Sequence, residues 1–190
     1  MMLLPRLTLG LLHLMLALGV GQIAPNSGRM QSDFPLGTPR LLVGQVLAHP
    51  DTLKMQIFAA LAKGDVEAAV AAYMANKGLT DAPRWLQAFQ AAFNVANRQM
   101  GRCSQVARDI HAALTRFGGS PEYVRVSSTE GEYLSWSSKQ IMSDNNVHFA
   151  VRCGGRIYDA FTGVSGMLEQ EYMASIHALG RVSLVVTGEP

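Results

Sequence analysis

Cys103, His148 and Asp159 are the residue types that catalysis by a thiol nucleophile requires, and they occur in that order along the chain. A cysteine attacks a carbonyl carbon as the thiolate, which a neighbouring imidazolium stabilises. A carboxylate can hold one nitrogen of the imidazole and leave the other nitrogen free to face the sulfur. Taken together, the three residues predict a catalytic triad for acyl-transfer chemistry.

The residues after Gly101 predict a helix over residues 102–117, which ends at Gly118-Gly119. Its apolar residues fall on one stripe: Cys103, Ala107, Ile110, Leu114 and Phe117. Cys103 therefore stands at the start of the helix, where the partial positive charge of a helix N-terminus lowers the pKa of a thiol. Viewed alone, Cys103 also fits a second interpretation, that of a small buried apolar side chain.

Residues 147–161 predict a β-hairpin that turns at Gly154-Gly155. A two-residue turn pairs Ala150 with Asp159, so that His148 and Asp159 become diagonal neighbours on one face. Their backbones are then about 7 to 8 Å apart, which is within reach of the two side chains. A register shift of one residue would turn His148 to the opposite face, so the predicted triad depends on this register.

The elements that must position these residues are helices before Gly101 and mainly strands after residue 117. The pattern predicts helices over residues 51–77, interrupted at Gly64-Asp65, and over 81–99, then a strand near residues 123–126, the hairpin, a helix over 168–179 and a strand over 181–186. We expect an α+β fold in which the helix that bears the nucleophile packs on an antiparallel sheet, preceded by a helical N-terminal region.

Three short motifs carry a resemblance: Gly101-Arg102-Cys103 at a helix start, Asn146-Val147-His148-Phe149-Ala150-Val151 on a strand, and Ile157-Tyr158-Asp159 on the next strand. They resemble the papain-fold toxin domains of bacterial polymorphic toxins, over residues 101–186 at most. Transglutaminase-like domains are similar too. This chain, however, has Ala150 where that family commonly has tryptophan, and it lacks a proline after Asp159.

The resemblance implies a papain-like core in which Cys103 is the nucleophile, His148 the general base and acid, and Asp159 the orienting carboxylate. It also implies a glutamine shortly before the cysteine that donates a hydrogen bond to the developing oxyanion. Gln99 is the candidate and Asn97 competes with it. The alternative interpretation of both side chains is a polar helix face.

The activity implied by the resemblance is that of a cysteine-dependent hydrolase or acyl-transfer enzyme, a peptidase or glutamine deamidase, acting as a bacterial toxin or effector. Its partners would be a protein or peptide substrate and a cognate immunity protein that blocks the cleft. Two alternatives remain open. One is a transglutaminase-like enzyme, and the other is a non-enzymatic secreted or membrane-tethered helical binding module.

The composition limits these alternatives. The chain has 190 residues, 48% hydrophobic and 16% charged, enough for one domain with an N-terminal extension. A net charge of +2 and scattered basic residues argue against a nucleic-acid partner. The sequence has no metal-ligating motif, so we expect neither a metal nor another cofactor. The only two cysteines, Cys103 and Cys153, leave a single disulfide open.

The segment from Leu7 to Ala24 is apolar and follows a single arginine, Arg6. It fits a secretory signal peptide, cleaved after Ala17-Leu18-Gly19, or a membrane segment, and a buried helix is the remaining alternative. We expect a secreted or exported bacterial protein, with membrane contact through residues 7–24 if the segment is retained. The predicted divisions are a signal peptide or membrane segment (1–24), a proline-rich linker (25–50), a helical region (51–100) and the papain-like catalytic domain (101–190).

Overall fold

The computed structural model describes residues 50–190. The predicted signal peptide or membrane segment, and all but the last residue of the predicted linker, lie outside the described residues. Four α-helices come first: α1 (Pro50–Ala62), α2 (Val66–Lys77), α3 (Arg84–Ala92) and, after a short 3₁₀ helix (Val95–Asn97), α4 (Cys103–Arg116). The predicted interruption at Gly64-Asp65 is confirmed, because Asp65 caps α2 by accepting a hydrogen bond from the Ala68 N–H at 2.8 Å.

The predicted helix over residues 81–99 is too long, since α3 ends at Ala92. Asn94 has an extended backbone (φ −64°, ψ 142°), which cannot continue a helix. The Asn97 side chain then donates its amide N–H to the Ala91 carbonyl at 2.6 Å and satisfies one of the last carbonyls of α3. The chain between α3 and α4 therefore consists of the short 3₁₀ helix, which ends at Asn97, and a turn that carries Gln99.

Eight strands and one further helix occupy the rest of the described chain. They are β1 (Glu122–Ser128), β2 (Leu134–Trp136), β3 (Gln140–Ser143), β4 (Val147–Cys153), β5 (Arg156–Tyr158), β6 (Met167–Leu168), α5 (Glu169–Ser175), β7 (Ile176–His177) and β8 (Val182–Thr187). One sheet has the order β6-β5-β4-β1-β8 and the other the order β3-β2-β7, with antiparallel pairs throughout. The α+β class with a helical N-terminal region is therefore confirmed.

The last helix is shorter than the predicted 168–179. Ile176 and His177 pair with Trp136 and Ser135 of β2, and this pairing ends α5 at Ser175. Pairing between distant strands thus overrides the local helical pattern at this point.

The predicted register of the β4–β5 hairpin is confirmed, because Arg152 pairs with Ile157. The second strand is shorter than predicted and ends at Tyr158. Asp159 instead begins a turn, in which its backbone N–H donates to the Thr162 hydroxyl at 2.9 Å. Asp159 therefore lies just beyond the end of β5. Its side chain nevertheless contacts His148, its predicted neighbour on that face of the hairpin.

Helix α4 lies between the other helices and the larger sheet, and its buried residues belong to the same apolar cluster as buried residues of α1, α2, α3 and β4. Phe117, directly after α4, packs edge-on against three rings at centroid distances of 5.4 to 5.9 Å: Tyr73, Trp85 and Phe89. A second apolar cluster joins the two sheets and α5. The helix that begins with Cys103 is thus fixed from both sides.

Replacing Phe117 by alanine is expected to lower the free energy of unfolding by about 3 to 5 kcal/mol, because it leaves a cavity among three aromatic rings. Urea denaturation followed by circular dichroism measures the change. Val185→Ala on β8 is the control, since that side chain is 48% exposed, and its effect should stay within about 0.5 kcal/mol. A loss below about 1 kcal/mol for Phe117→Ala would contradict a core shared by α2, α3 and α4.

Candidate active site

Cys103 is the first residue of α4, and its side chain is partly buried. Gly101 has a φ of 77°, a conformation that glycine adopts readily, and it turns the chain into the helix. The N–H groups of a first helical turn have no acceptor within the helix, so they present partial positive charge at this end. The position of Cys103 thus favours a thiolate.

The pKa of the Cys103 thiol is lowered from its ordinary value, although burial alone would raise it. Interaction with His148, through hydrogen bonding and charge, opposes burial. The backbone N–H of Phe149 and the side chain of Ser104 lower the pKa further. The surroundings of the sulfur therefore stabilise its ionised form.

His148 lies on β4 and is 2% exposed. Its Nε2 atom is 2.9 Å from Oδ2 of Asp159 and donates to that carboxylate. Burial lowers the pKa of the ring, but the bonds and charges of Asp159 and Cys103 raise it to about 9. The site therefore favours the charged form of the ring, the imidazolium.

The other ring nitrogen of His148, Nδ1, is buried and makes no hydrogen bond of standard geometry to the described residues. Cys103 is nevertheless close enough for each side chain to shift the pKa of the other. The contact is looser than a standard hydrogen bond, as it often is in active sites before substrate binds. One nitrogen of the ring is thus held by a carboxylate, and the other is free to exchange a proton with the thiol.

Asp159 is fully buried and accepts four hydrogen bonds. Oδ1 accepts from the backbone N–H groups of Phe161 and Thr162, both at 2.8 Å. Oδ2 accepts from His148 and from the Tyr172 hydroxyl, both at 2.9 Å. Burial would raise the pKa of this carboxyl, but these donors, with His148 foremost, lower it. Asp159 is therefore a fixed anion.

A small, tight pocket adjoins these groups, and the side chains around it leave no room for a water molecule. Its lining consists of Asn97, Gln99, Cys103, Val106, His148, Asp159, Ala160 and Phe161. Both candidates for the oxyanion donor thus reach the same pocket as the three predicted catalytic residues. A larger open groove, of about 450 Å³, is lined by residues of the β3-β2-β7 sheet and its connections, and none of the three predicted catalytic residues lines it.

Arg98, between the two oxyanion candidates, connects the walls of this pocket. Its Nε donates to the Ala160 carbonyl at 2.9 Å, and its own carbonyl accepts from the Gln140 side chain at 2.6 Å. The turn before α4 is thereby tied both to the loop that follows Asp159 and to β3.

Cys153 lies in different surroundings, although it is the same residue type. It is the last residue of β4, and its sulfur adjoins Gly119, just beyond the end of α4. Burial raises the pKa of its thiol. Both cysteines are free, and a helix of 14 residues spans about 20 Å, so a disulfide between opposite ends of α4 is excluded in this fold.

Sequence reasoning missed the contacts that Tyr172 and Thr162 make with Asp159. Thr162 follows Asp159 by three residues, the spacing of a turn closed by an aspartate side chain, so this contact had a local signal. Tyr172 is 13 residues away on α5, and no spacing rule predicts its contact.

Comparison with protein-family models, curated proteins and solved structures found no match. Within residues 50–190, no helix is long and apolar enough to cross a membrane. The same residues contain no group of three or more His, Cys, Asp or Glu side chains placed to hold a metal ion.

Asp159→Asn is expected to lower the pKa of His148 from about 9 to its ordinary 6.5 or below. The substitution removes the carboxylate that favours the charged ring, while burial continues to disfavour it. Titration of the His148 ring signals by NMR measures the change. Asp109→Asn is the control, because Asp109 is a carboxylate of α4 that bonds Gln105 instead. A pKa that stays near 9 in Asp159→Asn would contradict the role of the carboxylate.

Proposed function

We propose that this protein is a cysteine-dependent enzyme of the papain-like kind that hydrolyses or transfers acyl groups, with Cys103, His148 and Asp159 as its catalytic triad. One observation carries the proposal. His148 presents one ring nitrogen to a buried carboxylate at 2.9 Å and leaves the other without a standard partner, beside a thiol of lowered pKa. A structural histidine would have little reason to leave a buried nitrogen unpaired.

In the proposed reaction the Cys103 thiolate attacks a carbonyl carbon of the substrate and forms a C–S bond, and the carbonyl becomes an oxyanion. The Cys103 backbone N–H and the Gln99 side chain are the candidate donors to that oxyanion. The His148 imidazolium gives its proton to the leaving nitrogen, and the C–N bond breaks to release ammonia or an amine. The product bound to the enzyme is a thioester.

The second half of the reaction regenerates the thiolate and the imidazolium. His148, now neutral, accepts a proton from water, whose oxygen attacks the thioester carbonyl. The C–S bond breaks, and a carboxylic acid leaves. An amine in place of water gives acyl transfer, so a peptidase, a glutamine deamidase and a transglutaminase-like enzyme share these steps.

The substrate class that we propose is a protein or peptide, and the biological role is that of a bacterial toxin or effector. The resemblance of residues 101–186 to papain-fold toxin domains supports this role, together with the predicted export segment. A cognate immunity protein that covers the pocket is the expected partner. The non-enzymatic binding module is less favoured, since it has no use for a buried charge pair beside a thiol.

Iodoacetamide at pH 6 is expected to alkylate Cys103 at least about tenfold faster than Cys153, because only Cys103 has a stabilised thiolate. Peptide mass spectrometry of the folded full chain measures both rates. Since Cys153 is also more buried, the decisive comparison is made at Cys103 itself. His148→Ala should reduce the rate at Cys103 by about tenfold or more, as the imidazolium is lost.

His111→Ala is the matched control, because this histidine stacks on Tyr123, with ring centroids 4.1 Å apart, and does not line the pocket. Its Cys103 should react at the wild-type rate. Equally slow labelling of both cysteines in the folded wild-type protein would exclude the thiolate–imidazolium pair and with it the proposed function.

A further inference from the structure

We propose that Tyr172 is a positioning residue of this site, whose hydroxyl fixes Oδ2 of Asp159 against the His148 ring. The inference rests on the proposed function and adds a fourth side chain to the triad. The Tyr172 hydroxyl donates to Oδ2 at 2.9 Å, and this is the oxygen that accepts from His148 Nε2 at the same distance. Tyr172 and Asp159 are both fully buried.

The four hydrogen bonds of the carboxylate divide into two pairs. Oδ1 accepts from two backbone N–H groups of its own turn, those of Phe161 and Thr162. Oδ2 accepts from side chains that come from β4 and α5. The first pair anchors one oxygen locally, whereas the second determines where the other oxygen lies. Without Tyr172, Oδ2 would be held only by His148, which is the residue whose ring Oδ2 has to orient.

Tyr172 has to remain protonated in order to hold Oδ2. Its bond also stabilises the charged form of the carboxylate, because a donor to a carboxylate oxygen favours the anion. Burial and the charge of Asp159 raise the pKa of Tyr172 well above its ordinary value. The hydroxyl therefore keeps its proton and remains a donor over the pH range in which the site works.

Tyr172 is itself held by aromatic packing that extends to the pocket. Its ring lies 5.7 Å from that of Trp136 on β2, and Trp136 lies 5.6 Å from Phe161, which lines the pocket. The smaller sheet and α5 thus place the hydroxyl. Their contribution to the site is to position Asp159, whereas α4 and β4 supply the reacting groups.

The test is Tyr172→Phe in the full chain, with the alkylation rate of Cys103 by iodoacetamide measured against pH. If Cys103 and His148 form a thiolate–imidazolium pair, the alkylation rate rises at the pH at which the pair forms. It changes again at the higher pH at which the imidazolium loses its proton, and this second change is the upper inflection. The variant removes the bond that holds Oδ2 in place, so the carboxylate is free to turn away from the ring and favours the imidazolium less. We expect the upper inflection, and the His148 titration seen by NMR, to move down by about half a pH unit.

Tyr158→Phe is the control for the same chemical change. Tyr158 is buried and directly precedes Asp159, but the four bonds of the carboxylate come from other groups. Its pH profile should coincide with that of the wild-type protein.

An unchanged or raised upper inflection in folded Tyr172→Phe would overturn the inference, even where the wild-type protein shows the pair. A wild-type profile with the single inflection of an ordinary thiol would instead overturn the proposed function. If Tyr172→Phe does not fold, an NMR measurement on the wild-type protein tests the bond between Tyr172 and Asp159 instead. The Tyr172 hydroxyl proton should then exchange slowly with water and give a downfield NMR signal, and its absence in the folded protein would count against the bond to Asp159.

Discussion

The ionised carboxylate of Asp159, fully buried, is the constraint on which the rest of this structure depends. Removing a charge from water costs several kcal/mol unless partners replace the lost hydration. Here four donors replace it, from β4, from α5 and from the turn after β5. Each donor requires its own element to be in place. The site is therefore a product of the assembled fold, although its residues can be recognised in the sequence.

Helix α4 connects this anion to Cys103, the proposed nucleophile. Its buried stripe packs on β4 and on the first three helices, so that Cys103 at its start adjoins His148 while Phe117 just beyond its end is held by aromatic rings. A helix fixed at both ends cannot shift along the sheet without breaking close packing. The distance between sulfur and imidazole is thus controlled partly by residues far from the pocket.

The sequence predicts most reliably what depends on neighbours in the chain. The turn at Gly154-Gly155 determines the register of β4 and β5, and from that register the proximity of His148 and Asp159 follows. The end of α3, the early end of α5 and the contact of Tyr172 with Asp159 were not predicted correctly or were missed. The last two depend on pairing or bonding between residues distant in the chain, which periodicity does not encode. The end of α3 follows from the extended backbone of Asn94, which breaks the run of helical residues although the apolar pattern continues to Ala96.

The two cysteines lie in different surroundings, which shift the pKa values of their thiols in opposite directions. Burial raises the pKa of both thiols. Only Cys103 has an imidazolium, a backbone donor and a helix N-terminus beside it, and the net effect there is a lowered pKa.

The coupling between Cys103 and His148 also contributes to the raised pKa of His148, about 9. The ion pair therefore exists between the lowered pKa of the thiol and the raised pKa of the ring. Below this interval the thiolate takes up a proton, and above it the imidazolium loses one, so the stability that the pair contributes is lost on both sides. Within the interval the thiol is ionised and the ring is protonated, the two states that the proposed reaction requires of its nucleophile and its general acid.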